Sequence, residues 1–296
     1  MDKIEKYNQR QASIEEQIAS LRNEGLCFIN VAKAEHLLSH ISLFRIKSYL
    51  QPLRVKYSRR FIKGASFEQA YHMYKFDARL RKMICSELEK IEISIRTKLS
   101  LTMAENNPFW FEAPEMFKNK ERHDSLLVTL QAELHRSDDE QIVEFRQKYS
   151  NAFPPSWMTM EISSFGTLSM LYRWLKNGRS RREVAQCYGI SDNVLESWLH
   201  SIVYVRNICA HHSRLWNKNL RIQPVAPKST NFPFLVNPAP TNRVYYILSI
   251  ILYLLQVVNP QNTFASRIKS LLMEFPLIDI SSMGFPKDWE KELLWN

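Results

Sequence analysis

Apolar residues recur along most of the chain at the spacing of an α-helix. The clearest case begins where Ser66 and Gln69 match a capping box, and it extends from Phe67 to about Ala104 without Pro or Gly. Apolar side chains follow the 3.6-residue period there, at Tyr74, Leu80, Ile84, Leu88, Ile91, Ile95 and Leu99. The pattern therefore predicts one long helix with a single buried face.

Shorter helices are predicted on both sides of this segment. A second capping-box match lies at Ser13 and Glu16, inside or at the start of a predicted helix over 4–24, and Asn177-Gly178 has the composition of a helix C-cap. Strand-like alternation and hairpin turn pairs are hard to find, so the sequence predicts an all-α fold. The other predicted helices are Asn30 to Ser39, 41–51, two within 121–150, Trp157 to Lys176, Arg179 to Tyr188, Ser191 to about His212, 242–258 and Pro260 to about Phe275.

Composition indicates one compact helical domain over residues 1–296. Within it we expect a basic N-terminal part (1–65), a core (66–260) and C-terminal helices (261–296), with an ordered, proline-rich loop at 222–240. The longest apolar run, Val244 to Val258, is 15 residues. A membrane span needs about 20 residues, so this run is predicted as a buried core helix.

The N-terminus and the cysteines indicate the cellular compartment of the protein. The first 17 residues lack the apolar stretch of a secretory signal. The four cysteines include no Cys-x-x-Cys pair, which favours reduced thiols over a disulfide framework or a zinc knuckle. We therefore expect a soluble cytoplasmic protein that does not bind membranes.

Positive charge is concentrated in residues 41–100, which carry 14 Lys/Arg and 5 Asp/Glu, a net charge of +9. The aromatic residues Phe44, Tyr49, Tyr57 and Phe61 are interleaved with basic residues there and offer stacking faces. This pattern favours binding of RNA or DNA phosphate, and the alternative is a solvated basic surface. The candidate RNA-binding residues are Arg45, Lys47, Arg54, Lys56, Arg59, Arg60 and Lys63, together with Arg214 further along the chain.

The polar groups best suited to chemistry lie in residues 205–217. Asn207 and His211 are four residues apart and share one face of the predicted helix, whereas Arg206 lies about 140° from His211. Either the helix is distorted at its end, or a second copy of the motif completes the site. The opposite, buried face is predicted to consist of Leu195, Trp198, Ile202, Val205 and Cys209.

The string from Arg206 to Asn217 (RNICAHHSRLWN) resembles the Abi-like abortive-infection family, the AbiD/AbiF group of bacterial phage-defence proteins within the HEPN superfamily. Similar blocks lie upstream, and the resemblance spans roughly residues 30–260. The upstream blocks are Phe44–Tyr49, Phe76–Arg81, Glu89–Glu92 through Arg96, Trp157 with Glu161, and Phe165-Gly166.

The resemblance implies a HEPN helix bundle and a metal-independent endoribonuclease without a cofactor. Its Arg-x4–6-His motif maps onto Arg206 and His211, with Asn207 at the polar position after the arginine. Related proteins pair two motifs across a dimer interface, so a homodimer is expected, and some AbiF-like members are associated with a structured non-coding RNA. His212 joins the candidate catalytic residues, although a structural histidine is the alternative there.

Histidine and arginine suit RNA cleavage because RNA supplies its own nucleophile, the 2′-hydroxyl. Histidine titrates near neutral pH and can exchange protons, whereas arginine stays charged and donates to phosphoryl oxygens. The alternatives are a non-catalytic RNA-binding scaffold and a structural module that acts through protein contacts. Metal catalysis is least favoured, because adjacent histidines point about 100° apart on a helix.

Overall fold

The computed structural model describes residues 10–105 and 107–296, and within these ranges it is all-α, with isolated bridges but no strand. This confirms the predicted fold class. The helices are α1 Ile14–Asn23, α2 Val31–His40, α3 Leu43–Leu50, α4 Phe67–Met103, α5 Lys120–Arg136, α6 Glu140–Lys148, α7 Ser156–Ile162, α8 Phe165–Trp174, α9 Arg179–Gln186, α10 Asp192–Ala210, α11 Val244–Val258 and α12 Phe264–Glu274.

The chain divides into two compact units, Met1–Arg79 and Leu80–Asn296, with the boundary inside α4. This division does not coincide with the boundaries expected at residues 65 and 260. The assignment of a single domain therefore stays a prediction.

In the first unit, α1 begins later than the sequence indicates. The Ser13 side chain accepts a hydrogen bond from the Glu16 backbone at 3.2 Å, and the Glu16 carboxylate accepts one from the Ser13 backbone at 2.7 Å. This capping box holds Ser13 in an extended conformation, so the helix begins at Ile14. The helix predicted over residues 10–13 is therefore wrong, and its earlier part, residues 4–9, lies outside the described residues.

The core of the first unit is built by α1, α2, α3 and the first turns of α4. Asn30 caps α2 by accepting a hydrogen bond from the Lys33 backbone at 2.9 Å, as the sequence predicts. Tyr49 of α3 is fully buried and donates a 2.6 Å hydrogen bond to the Asp77 carboxylate. Burial without loss of a hydrogen bond makes Tyr49 an internal link rather than a surface group.

The second unit is organised around α10 and α11. Helix α10 packs against α8, α9 and α11, and α5 packs against α7 and α8. Every residue of α11 from Val244 to Leu255 is buried, which confirms the prediction of a core helix. Among the described residues, no helix has the length and apolar character of a membrane span.

The helix predicted from Trp157 to Lys176 is wrong, because the structure has two helices there. The chain leaves the helical conformation at Ser163 and Ser164, and the Ser164 hydroxyl caps α8 by accepting from the Thr167 backbone at 3.2 Å. Helix α8 then ends at Trp174, so Asn177-Gly178 is not its C-cap; Gly178 instead precedes α9. Serine favours this break because its hydroxyl replaces a helical hydrogen-bond partner.

The remaining predicted elements agree with the structure to within a few residues. Helix α4 begins with the Ser66 and Gln69 capping box, and α12 begins at Phe264 rather than at Pro260. The loop over 222–240 is held by specific hydrogen bonds. The indole of Trp198 donates to the Val225 carbonyl at 3.0 Å, and the buried Glu292 carboxylate accepts from two backbone N–H groups, at Val236 and Asn237.

Candidate functional site

The buried face of α10 orients the motif at its end. Leu195, Trp198, Ile202, Val205 and Cys209 are each at most 3% exposed, so the predicted stripe is confirmed. Arg206 is half-buried at the edge of this stripe, and Asn207 and His211 are exposed on the opposite side. The packing of α10 therefore decides which motif side chains reach solvent.

The backbone stays helical up to His211. The His211 N–H donates to the Asn207 carbonyl at 3.0 Å, which is the normal bond of an α-helix. His212 then takes the left-handed conformation, with φ at +54°, and the N–H of Ser213 donates to the Ile208 carbonyl at 3.0 Å. This is a Schellman motif, in which glycine normally occupies the left-handed position.

The regular helix end speaks against one of the two arrangements left open by the sequence, a distortion at the end of the helix. No distortion up to His211 turns Arg206 towards it, so their directions differ by about 140°. The His211 side chain makes no hydrogen bond or ion pair with any residue in 10–105 or 107–296. One chain thus presents an exposed imidazole and, on another side of the helix, a half-buried guanidinium.

Arg206 interacts with groups on two helices, α10 and α4. Its guanidinium donates to the Asn207 side-chain oxygen at 3.4 Å. Its charge also acts on the thiol of Cys85 in α4, whose pKa is lowered to about 7, first by a hydrogen bond with the Cys209 side chain and then by Arg206 and Arg81. Arg206 therefore has a polar neighbour on α10 and acts on a thiol of α4.

The sequence alone did not single out Cys85 as a neighbour of the motif. The four-residue spacing of Arg81 and Cys85 indicates a shared face of α4, but no local pattern relates that face to α10, more than 100 residues away. Only the packing of the two helices brings Cys85 beside Cys209 and Arg206.

The residues after the histidines support the helix end. Trp216 is 3% exposed, which agrees with a packing role rather than base stacking. Asn217 has φ at +50° and accepts a 3.4 Å hydrogen bond from Arg243. Arg214, a candidate RNA contact, is half-buried.

An ion-pair network joins Arg96 to Glu92 and Glu161. Arg96 is 9% exposed and donates to the Glu92 carboxylate at 2.9 Å and to the Ser163 carbonyl at 2.8 Å, while its distance to the Glu161 carboxylate is 3.8 Å. Glu92 and Arg96 therefore form a largely buried pair, with side chains 15% and 11% exposed, and not a surface pair. Arg96 joins α4 to the end of α7.

The basic segment of the first unit contains a compact loop, which we call the basic loop and define as residues 54–60. The Val55 N–H donates to the Arg60 carbonyl at 2.9 Å, and the Ile62 N–H donates to the Leu53 carbonyl at 2.9 Å. Tyr57, at the tip, has φ at +61° and is 96% exposed. The loop therefore displays an aromatic ring among positive charges.

The structure separates the candidate RNA-binding residues into two groups. Arg54 pairs with Glu24 at 2.6 Å and covers the ring of the buried Phe61, so its charge is used internally. Tyr49 is buried as well; the expectation of stacking faces is therefore wrong for Tyr49 and Phe61, whereas Phe44 and Tyr57 are exposed. The exposed basic residues are Arg45, Lys47, Lys56, Arg59, Arg60 and Lys63.

Metal-binding geometry is not found within residues 10–105 and 107–296, where no group of three or more His, Cys, Asp or Glu side chains is arranged to hold an ion. The chemistry open to the motif is that of an imidazole, a guanidinium and an amide. Metal independence itself stays a prediction.

Taken with the all-α fold, the motif at the end of α10 defines a helical protein with an exposed histidine and a half-buried arginine. The family model described as Abi-like protein matches residues 36–217, which is more than half of the chain. The chain therefore belongs to the Abi-like family, as the resemblance indicates, and an abortive-infection type of function is supported. The match ends at Asn217, the last residue of the motif. No curated protein and no solved structure matches the chain.

Proposed function

We propose that this protein is an abortive-infection endoribonuclease that cleaves RNA without a metal ion. The observation that carries the proposal is the end of α10, where an exposed His211 and a half-buried Arg206 lie inside the segment matched by the Abi-like family. An imidazole that is not engaged elsewhere can exchange a proton with RNA, and a half-buried guanidinium can bind its phosphate.

The reaction needs only the groups of the RNA and the motif. The 2′-oxygen attacks the neighbouring phosphorus, a bond to phosphorus forms, and the bond from phosphorus to the 5′-oxygen breaks. One imidazole accepts the proton of the 2′-hydroxyl, and a protonated imidazole donates a proton to the leaving 5′-oxygen. Arg206 donates hydrogen bonds to the non-bridging oxygens as their charge grows. The products are a 2′,3′-cyclic phosphate and a 5′-hydroxyl.

We infer that two copies of the chain build this site. On a regular helix, Arg206 and His211 of one chain point about 140° apart. A second chain related by two-fold symmetry supplies a second exposed His211, so that one imidazole serves as base and the other as acid. Pairing of two motifs in a homodimer thus accounts for acid and base catalysis by a single kind of histidine.

RNA cleavage by the purified protein in EDTA tests this proposal. We expect His211→Ala and Arg206→Ala each to lower the cleavage rate by at least about 100-fold, the usual effect of removing one group that stabilises the transition state. The circular dichroism spectrum is expected to stay that of the unsubstituted protein. Cleavage that survives both substitutions would contradict the proposal.

Matched controls exist in the same unit. His135 on α5 and Arg182 on α9 are exposed and lie outside the motif. His135→Ala and Arg182→Ala remove the same kinds of side chain, and we expect both variants to cleave RNA at the unsubstituted rate.

A second candidate function, an RNA-binding scaffold without catalysis, is favoured by the basic loop. Its exposed Tyr57 and the six exposed basic residues of 41–63 suit single-stranded RNA whether or not the motif cleaves it. RNA that co-purifies intact, and that gains no cyclic-phosphate ends after incubation, would favour the scaffold. A structured non-coding RNA is the partner expected from the family resemblance.

A further inference from the structure

Three cations surround one carboxylate near the start of α10. The Glu196 carboxylate lies 3.6 Å from the Lys118 ammonium group and 3.6 Å from the Arg173 guanidinium, and it accepts a hydrogen bond from Arg181. Arg181 also lies 3.5 Å from the Asp192 carboxylate. Three positive charges thus meet two negative ones. We call Lys118 and Arg173, with the Glu196 carboxylate that both contact, the cation cluster.

The cation beneath the cluster is fixed inside the protein. The Arg181 side chain is 1% exposed and lies over the ring of Tyr172. Its guanidinium donates to the Leu175 carbonyl at 3.1 Å and to the Asn177 side-chain oxygen at 3.0 Å. This buried guanidinium holds Glu196 in place and balances its charge, because a buried ion is stable only when it is paired. The surplus positive charge therefore lies on the two outer cations.

The two outer cations, Lys118 and Arg173, lie side by side at the surface. The Lys118 backbone N–H donates to the Trp174 carbonyl at 2.9 Å, and the Lys176 N–H donates to the Met116 carbonyl at 2.8 Å, so the two segments are paired. The Lys118 ammonium group also donates to the Arg173 carbonyl at 2.9 Å. The two side chains are 38% and 48% exposed. Since both head groups contact one carboxylate, one phosphate can bind to both.

One face of α10 connects the cation cluster with the motif. Most residues of α10 are buried, and the residues that reach solvent on this face are Glu196, His200, Tyr204, Asn207 and His211. Their spacings of four, four, three and four residues place them within about 80° of one another around the helix axis. Glu196 and His211 are 15 residues apart, which is roughly 22 Å along the axis. We call these five residues the exposed stripe.

We infer that Lys118 and Arg173 bind a second phosphate of the RNA, roughly 22 Å from the phosphate that is cleaved, and so hold the strand along the exposed stripe. The position of the cleaved phosphate rests on the proposed RNA cleavage at His211. Sites for single-stranded nucleic acid commonly span about 4–16 nucleotides, so one strand can reach both ends of the stripe. Because the two cations lie far from the reacting atoms, they act on affinity and not on the chemical step.

RNA binding in the absence of cleavage tests the phosphate site first. On the His211→Ala background, we expect the double substitution Lys118→Gln, Arg173→Gln to raise the Kd of a labelled oligouridine of about 20 nucleotides at least about tenfold, because charge-assisted hydrogen bonds are lost. The slope of log K against log salt should become shallower by about 0.7, the value for one phosphate contact of a single strand. The charge-retaining substitution Lys118→Arg, Arg173→Lys should keep most of the affinity.

A matched control removes the same two charges elsewhere in the second unit. Arg136 on α5 and Lys148 on α6 are exposed and lie outside the cation cluster. We expect the double substitution Arg136→Gln, Lys148→Gln to leave both the Kd and the salt slope unchanged.

Cleavage kinetics with His211 in place test where the second phosphate lies on the strand. For the Lys118→Gln, Arg173→Gln variant we expect a raised KM and an unchanged kcat. A single methylphosphonate linkage after a 2′-deoxy ribose removes the charge of one phosphate, and it can be moved along an RNA whose cleavage position is known. At one position, several nucleotides from the cleaved bond, it should raise the KM of the unsubstituted protein and have no added effect in the variant.

Several results would overturn the phosphate site. They are an unchanged Kd in the Lys118→Gln, Arg173→Gln variant, an equal loss of affinity in the control variant, and a neutral linkage whose effect adds to that of the variant at every position. Calorimetry with inorganic phosphate covers the other source of the anion. Phosphate binding that the variant abolishes, together with an unchanged Kd for RNA, would assign the cation cluster to a free anion instead of RNA.

The two kinds of measurement separate this site from the proposed function. A protein that binds RNA through Lys118 and Arg173 but cleaves none would overturn the ribonuclease, while the Kd values would still establish a phosphate site. RNA cleavage with an unchanged KM in the double variant would overturn the phosphate site while the ribonuclease stands.

Discussion

At the scale of single residues, His212 combines two properties that rarely occur together. It belongs to the motif, and its backbone has φ at +54° in the position where a helix usually ends with glycine. The left-handed conformation costs a residue with a Cβ atom roughly 1–2 kcal/mol. The structure therefore offers a backbone reason for the conformation of His212 to matter, apart from any catalytic role of its ring.

Replacement of His212 by glycine and by valine separates these roles. Both variants lose the imidazole, but only valine meets the steric cost of the left-handed conformation, so we expect His212→Gly to be more stable than His212→Val by about 1–2 kcal/mol. The measurement is the free energy of unfolding in urea. A valine variant as stable as the glycine variant would contradict the strain argument.

The cleavage rate of His212→Gly adds a second result. Since the ring of His211 is the one on the face shared with Asn207, we expect His212→Gly to retain most of the activity. A loss equal to that of His211→Ala would assign His212 a catalytic role.

Single residues also mark the limit of prediction from sequence. Burial of Trp216 and exposure of His211 follow from helix periodicity and residue type. The ion pair of Arg54 with Glu24, the residue after α1, does not follow from them. A basic residue within a run of basic residues looks the same in the sequence whether its partner is distant or missing.

At the scale of helices, Arg96 explains how the break between α7 and α8 is held. The chain leaves the helix at Ser163, and the freed carbonyl of Ser163 accepts a hydrogen bond from Arg96 of α4. Helix α4 thereby satisfies a polar group that the break exposes. Removal of this guanidinium would take a hydrogen-bond donor away from both the Glu92 carboxylate and the Ser163 carbonyl.

We expect Arg96→Ala to lower the free energy of unfolding by about 2–3 kcal/mol, since the side chains of Arg96 and Glu92 are only 11% and 15% exposed. The matched control is Arg179→Ala, which removes a pair of the same four-residue spacing whose arginine is 89% exposed, and we expect no measurable change there. Equal stability of the two variants in urea would contradict a structural role of the Arg96 network.

Helices themselves were more predictable than their ends. Helix α4 has both a capping box and a long uninterrupted stripe, and its predicted bounds agree with the structure. The break at Ser163 and Ser164 was missed because the apolar pattern continues through it; its causes are a serine cap and a partner more than 60 residues away. A sequence pattern predicts that a helix exists more reliably than it predicts the tertiary contact at which the helix ends.

At the scale of the whole molecule, charge is distributed unevenly along the chain. Residues 41–100 carry a net charge of +9, and residues 101–160 carry 6 Lys/Arg against 10 Asp/Glu, a net charge of −4. If the basic loop binds RNA, its positive charges release counterions from the phosphates, and binding weakens steeply with salt. A solvated surface that only keeps the protein soluble lacks this dependence.

A salt titration of RNA binding distinguishes an RNA-binding surface from a basic surface that only keeps the protein soluble. For the triple variant Lys56→Ala, Arg59→Ala, Arg60→Ala we expect the slope of log K against log salt to become shallower by about 2, at roughly 0.7 per phosphate contact for a single strand. The measurement is fluorescence anisotropy with a labelled single-stranded RNA, on the His211→Ala background so that the RNA stays intact.

A second triple variant removes the same charges from the acidic segment, at exposed positions of α5. We expect it to leave the slope unchanged. An equal change in both variants would mean that net charge, rather than the basic loop, attracts RNA. The substitutions are Lys120→Ala, Arg122→Ala and Arg136→Ala.

The most direct test of the central claim is the chemistry of the RNA end that the protein leaves. With purified protein in EDTA and an RNA whose cleavage position has been mapped, the account predicts a 2′,3′-cyclic phosphate by mass spectrometry. It also predicts no cleavage when the ribose on the 5′ side of that position carries a single 2′-deoxy substitution. A 3′-hydroxyl product, or cleavage of the deoxy-substituted strand at the same position, would contradict the claim that the 2′-hydroxyl of the RNA is the attacking group.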